Sequence, residues 1–170
     1  MKDETASRPS PNASGSTPIF LAVMVICLLF FCSNYRAAVA AEPTCSLTPY
    51  DEIGPFYLPD APSRSKVGEG YVLEGVVRSY PSCLPLAGAK IEFWMTGPSG
   101  QYDAQHRGII LANDEGYYRL ETDFPPPYSG RPPHVHFMIS APGHERLITQ
   151  HYPVPGTRHA VFDLVLELEK

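Results

Sequence analysis

Residues 85–100 read PLAGAKIEFWMTGPSG, a proline-glycine turn, a strand-like run from Ala89 to Met95 and a second glycine-proline turn. The same punctuation recurs along the chain. Tyr71–Ser79 (YVLEGVVRS), Gly116–Thr122 (GYYRLET), His134–Ser140 (HVHFMIS), Arg146–Tyr152 (RLITQHY) and Val161–Leu168 (VFDLVLEL) are short and rich in β-branched or aromatic residues. Turn signals such as NDEG, APGHE and VPGT separate them. No segment sustains an amphipathic helical period, and the chain carries 19 prolines and 13 glycines among 170 residues. The pattern predicts an all-β fold, a β-sandwich of short, mostly antiparallel strands over residues 67–170.

Two segments precede that domain. Ile19–Phe31 is an unbroken apolar run of thirteen residues, the length of a signal-peptide core and short of the roughly 20 that span a bilayer. AVAA at 38–41 supplies small residues for cleavage after Ala40, so residues 1–40 read as a signal peptide. The alternative is an uncleaved signal anchor with Arg36 just outside it. Either way the folded part is expected outside the cytoplasm, periplasmic or extracellular. Residues 41–66 are rich in proline and polar side chains and predict an extended arm wrapped over the core, with Phe56 and Tyr57 as anchors.

Removing the three basic and two acidic residues of positions 1–40 leaves 10 Lys+Arg against 16 Asp+Glu, a formal charge of −6. Such a surface argues against a nucleic-acid partner. Cys27 and Cys32 fall in the leader. Cys45 and Cys83 remain, read either as a disulfide tying the arm to the core or as two buried thiols.

Chemistry concentrates at Arg131–Phe137, RPPHVHF. On a strand, His134 and His136 point to one face about 6–7 Å apart and can share a metal ion, although paired histidines also serve structural ends. No Cys, Asp or Glu stands at a spacing that completes a zinc site. Tyrosine is abundant instead, with ten in the chain, and Tyr128 lies six residues before His134. A phenol loses its proton only near pH 10, so it suits a hard trivalent cation such as Fe(III) rather than most divalent ions. Without such an ion, Tyr128 reads as an aromatic cover over one end of the sandwich. Arg131 alone reads as a strand-end partner for Glu145 or Asp123.

In order, GPFYLP, CLPLAGAKIEFW, GQYD, NDEGYYRLET, PPPYSGRPPHVHF and APGHERLITQHY resemble the intradiol ring-cleavage dioxygenases, the family of catechol and protocatechuate dioxygenases. The resemblance runs from about Gly54 to Tyr152 and is most specific in the Tyr-to-His-x-His-Phe block. It implies one non-haem ferric ion per chain held by Tyr102, Tyr128, His134 and His136. It further implies a catecholic substrate and O2, with a cis,cis-muconate-type diacid as product. Tyr128 would be ligand and base in turn, Arg131 a positive charge facing the substrate, and Gln150 a residue near the substrate oxygens. Pro55 and Tyr57 match a loop at the cavity mouth.

The chain departs from the family pattern in a spacer of only Ser129-Gly130 between Tyr128 and Arg131, and in a brief Tyr102–Asn113 segment expected to leave a wide, shallow cavity. A compact, exported branch of the family is expected. A homo-oligomer is left open and is not indicated. Two other classes compete, an exported β-sandwich binding module without dioxygenase activity and a zinc hydrolase built on His134 and His136.

Overall fold

The computed structural model describes residues 44–170, so the leader, its cleavage at Ala40 and the first residues of the arm lie outside the described residues. Eight strands follow the arm: β1 (Tyr71–Ser79), β2 (Lys90–Thr96), β3 (Tyr102–Leu111), β4 (Tyr117–Thr122), β5 (Val135–Ser140), β6 (Leu147–His151), β7 (His159–Val161) and β8 (Leu164–Leu166). They form two four-stranded sheets. One has the order β4-β1-β7, with β8 also on β1; the other runs β3-β2-β5-β6. Pairings are antiparallel except β1 with β7 and β1 with β8. The all-β, mostly antiparallel sandwich expected from the turn-strand pattern is the fold of this chain.

Alternation places the core. Along β1 every second residue is buried, and Tyr71, Leu73 and Val77 face Ile91, Phe93 and Met95 of β2 and Val135, Phe137 and Ile139 of β5. Each such side chain contributes about 1.5–3 kcal/mol when fully withdrawn from water. The second sheet departs from a two-layer sandwich in one respect. From Ile91 to Thr96 every residue of β2 is buried, as are Val135 to Ile139 of β5, so both faces of these strands are covered.

The arm covers the outer face. Asp51 N–H donates to the Ile148 carbonyl on the β6 edge, at 2.9 Å. Further along, Arg64 N–H donates to the Ile109 carbonyl and Ile109 N–H to that of Pro62, each at 3.0 Å, on the β3 edge. The intervening residues therefore cross from one edge strand to the other and occupy backbone groups that would otherwise stand open. Tyr57 meets Trp94 edge-on at 5.2 Å, and its hydroxyl donates to Glu92 at 3.2 Å. Buried Arg107 donates to the Phe56 carbonyl at 3.2 Å. The Cys45–Cys83 disulfide joins the start of the described arm to the turn after β1.

Two strand expectations need correction. Tyr102–Leu111, absent from the expected strands, is the ten-residue strand β3. Its first half, YDAQHR, lacks apolar alternation, and its pairing with β2 shifts register between Trp94 and Thr96. The strand exists because its backbone pairs with β2, which local composition does not encode. The run Val161–Leu168 is two strands, because Asp163 turns its carboxylate onto the Val76 N–H, at 2.9 Å, and interrupts the ladder.

Candidate metal centre

Three residues stand in a row across the outer face of the second sheet. His136 of β5 pairs with Trp94 of β2 on one side and with Gln150 of β6 on the other. The indole and imidazole of Trp94 and His136 stack with centroids 5.0 Å apart and planes within 4°. His134, two residues earlier, shares that face. Tyr102 opens β3 opposite Thr96, at the register shift. Phe56 of the arm stacks on Tyr102 at 4.3 Å, so the arm clamps the phenol from outside.

The polar atoms converge. Tyr102 Oη lies 2.8 Å from His134 Nε2 and 3.1 Å from His136 Nε2. His134 Nδ1 faces the Pro132 carbonyl at 2.7 Å, and only a donor can bond there. Its proton is thereby assigned to Nδ1, and the Nε2 lone pair is left facing Tyr102. His136 is 2% exposed, and its Nδ1 has no hydrogen-bond partner among the described residues. Burial pushes the His136 imidazole down to about 4, helped by His134 and Arg131, and lowers His134 as well. Burial pushes the Tyr102 phenol up to about 12, against the pull of Arg131. The protein alone therefore presents two neutral imidazoles and a neutral phenol.

Tyr128 approaches on a tight turn. Its N–H donates to the Arg131 carbonyl at 3.2 Å, and the Arg131 N–H returns a bond to the Tyr128 carbonyl at 2.9 Å. Ser129 and Gly130 between them have φ of 48° and 79°. Positive φ at both central residues is the signature of a type I′ turn, which glycine enters without penalty. The two-residue spacer is thus a complete hairpin turn. The Tyr128 ring stands edge-on to Tyr102 at 5.2 Å and to Phe56 at 5.4 Å. Its hydroxyl stays outside the Tyr102–His134–His136 triangle, with no hydrogen bond among the described residues.

These four side chains share a cleft of about 340 Å³ with Pro55, Ser129 and Arg131. Gly54, at φ 68°, closes its floor: a Cβ there would stand 3.1 Å from His136 Cε1. Arg131 meets neither Glu145 nor Asp123. Its Nη2 donates to Gln150 Oε1 at 2.8 Å and to Tyr152 Oη at 3.0 Å. Gln150 does not line the cleft; its amide is engaged by Arg131 and the arm, and it borders a neighbouring hollow. Tyr57 likewise stands off the cleft, against Trp94 and Glu92.

Sequence reasoning passed over Tyr152, which donates to Asp51 Oδ2 at 2.8 Å, and Asp51 itself. Tyr152 had a signal: it lies two residues beyond Gln150 and so on the same side of an extended chain. Asp51 had none, since the arm has no period.

Residues 57–167 match the family model described as Dioxygenase. The chain belongs to the intradiol ring-cleavage dioxygenase family. A chlorocatechol 1,2-dioxygenase of Cupriavidus pinatubonensis is 30% identical over 162 residues, covering 75% of this chain and 62% of that protein. A catechol 1,2-dioxygenase of Candida albicans is 31% identical over 138 residues, covering 59% of this chain and 45% of that protein. The chain thus spans roughly half the length of these curated relatives. Among solved structures, the dioxygenase domain of a dioxygenase and carbohydrate-binding fusion from Streptomyces sp. SirexAA-E matches with a TM-score of 0.65 and 28% identity, over 73% of this chain and 100% of that one. In this intradiol dioxygenase family member, no group of three or more His, Cys, Asp or Glu among the described residues is placed to hold a metal, so a zinc site lacks its third conventional ligand.

Proposed function

We propose that this protein is an Fe(III)-dependent intradiol dioxygenase. It opens the ring of catechol-type compounds between the two hydroxyl-bearing carbons and places both atoms of O2 in a cis,cis-muconate-type diacid. The observation that carries the reading is the convergence of Tyr102 Oη on two imidazole Nε2 atoms at 2.8 and 3.1 Å. Separations near 3 Å suit adjacent donors around a single ion with bonds of about 2.1 Å. The donor chemistry fits as well. A phenol held near 12 by burial is a poor anion alone, and a hard trivalent cation inverts that preference.

Tyr102, Tyr128, His134 and His136 would hold the ion, with the imidazoles already neutral at physiological pH. Bound there, Fe(III) would supply a Lewis acid able to draw electron density from a catechol. The chain's own residues do the rest. Tyr128, whose side-chain oxygen has no hydrogen-bond partner among the described residues, would serve as a phenolate ligand and then take up a substrate hydroxyl proton, becoming a neutral phenol. Arg131 directs fixed positive charge into the cleft, where carbanion character on the ring is stabilised. Phe56 and Trp94 exclude water from the flanks of the ligand rings. A cleft of about 340 Å³ has room for substituted catechols. Export through the N-terminal segment is part of this proposal, and a Cys45–Cys83 disulfide suits an oxidising compartment.

Purified protein loaded with iron is expected to bind a single ion per chain, turn red-brown from tyrosinate-to-iron charge transfer, and consume O2 with catechols to give ring-opened diacids. A colourless protein after loading, or a purely extradiol semialdehyde product, refutes it.

A further inference from the structure

Arg131 is fixed from below by groups that neither line the cleft nor belong to the proposed ligand set. Both bonds of its Nη2 are made, to Gln150 Oε1 and Tyr152 Oη. Each acceptor is oriented by one carboxylate on the arm. Gln150 Nε2 donates to Asp51 Oδ1 at 3.2 Å and to the Glu52 carbonyl at 2.8 Å, which turns Oε1 toward the guanidinium. The Tyr152 hydroxyl donates its proton to Asp51 Oδ2 at 2.8 Å, leaving an oxygen lone pair for Arg131. Asp51 is anchored in turn through its N–H to the Ile148 carbonyl, at 2.9 Å, and its Oδ1 accepts from Glu52 N–H at 2.6 Å.

We propose that Asp51 and Tyr152 are positioning residues for Arg131: the arm carboxylate orients the Tyr152 hydroxyl and the Gln150 amide, and these hold the guanidinium against the cleft wall beside His134 and His136. Arg131 and Asp51 never meet directly. One hydroxyl and one amide stand between them, so the carboxylate fixes direction without cancelling the charge through a contact pair. Arg131 Nε and Nη1 have no acceptor among the described residues and stay available to the substrate. The assignment makes Gln150 a part of this support rather than a substrate contact. It also explains why the arm crosses this face: it delivers Asp51 as well as Phe56. The inference rests on the proposed role of Arg131, and the test separates the two.

The test uses the full chain with Asp51→Asn and Tyr152→Phe, each alone and combined with Arg131→Gln. In iron-loaded protein each single variant is expected to keep its iron content and tyrosinate colour while kcat/KM for catechol falls about tenfold or more, mainly in kcat. In the Arg131→Gln background, Asp51→Asn is expected to add less than about a twofold change, because the group it positions is gone. In iron-free protein, 15N NMR is expected to show restricted rotation of the Arg131 guanidinium, released in both variants. Unchanged kcat/KM, an Asp51→Asn effect that persists in full without Arg131, or an Arg131 guanidinium equally restricted in the variants each overturn the assignment. If the wild-type chain binds no iron and opens no catechol, the dioxygenase reading falls, and the guanidinium measurement still decides whether Asp51 positions Arg131.

Discussion

The two faces of the β3-β2-β5-β6 sheet are both buried, by different partners. The inner face presents Ile91, Phe93, Met95, Val135, Phe137 and Ile139 to the other sheet, with a polar contact on the β6 edge, where His151 Nε2 meets the Tyr71 hydroxyl. The outer face presents Glu92, Trp94, Thr96, His134, His136 and Gln150, all under 9% exposed, to an arm without secondary structure of its own. Alternation separates them so cleanly that neighbours in sequence, such as His136 and Phe137, serve different ends. The inner face is held by area removed from water. The outer face is held by hydrogen bonds, aromatic stacking and a disulfide at the arm's start, and there the donor atoms gather. Dense, apolar packing keeps the strands rigid, which lets the opposite face hold donors at fixed separations.

The comparison is broken most sharply by removing one residue from each face. His134→Ala should lower iron affinity more than about 100-fold while the chain stays folded by circular dichroism. Phe137→Ala should do the reverse, lowering unfolding free energy by about 3–5 kcal/mol in urea titration. A His134 variant that unfolds, or a Phe137 variant as stable as wild type, would show the faces to be less separate than described.

Cutting the arm loose is expected to have a smaller effect. The Cys45–Cys83 bond closes a sequence separation of 38 residues, and Cys45→Ser with Cys83→Ser should lower stability by about 2–4 kcal/mol. Tryptic cleavage within the arm should speed up in the same variant, with the sandwich left intact. Gly54→Ala strains a residue at φ 68° and drives a methyl toward His136, with an expected loss of about 1–3 kcal/mol. Iron binding should weaken alongside it, because the ring pressed upon is a proposed ligand. Equal iron affinity would show that the arm covers the site without shaping it.

A graded effect is a pH dependence of the inner face. Burial pushes His151 down to about 4, and its Nε2 meets the Tyr71 hydroxyl at 2.7 Å behind the sheet. The folded state keeps this imidazole neutral, whereas the unfolded chain takes up a proton below about 6.5. Acid therefore favours unfolding, and stability should fall as pH drops from about 6.5 to 4, by at most about 1.4 kcal/mol per pH unit from this residue. His151→Gln should flatten the profile of the iron-free protein over that window; an unaltered slope would remove His151 from the account.

Much of this is legible in the sequence. Turn chemistry around IEFW and YYRLET announced strands, and the Arg131–Phe137 block drew attention to its two histidines without assistance. Tyr102 entered only through a family resemblance, since nothing local distinguishes the tyrosine of GQYD from the other nine. β3 escaped notice because half of it is polar, and its pairing depends on β2 rather than on its own pattern. Gln150 was placed near the substrate from the same resemblance, whereas its amide is taken up by Arg131 and the arm. Asp51 was invisible, because an arm without periodicity gives no clue to what each residue faces.

The amino-acid sequence by itself determined the class of fold, the strand that carries His136 with His134 just before it, and the two-residue turn that carries Tyr128. These follow from local rules: side-chain period, turn-forming residues and the freedom of glycine at positive φ. Only the tertiary structure decided that Tyr102 Oη stands between two imidazoles, that the arm crosses the outer face rather than one end of the sandwich, and that Asp51 underlies Arg131. Those are meetings of residues 32 to 101 positions apart. Such contacts are set by strand register and by the path of an arm held at both sheet edges, and no rule of local sequence specifies either.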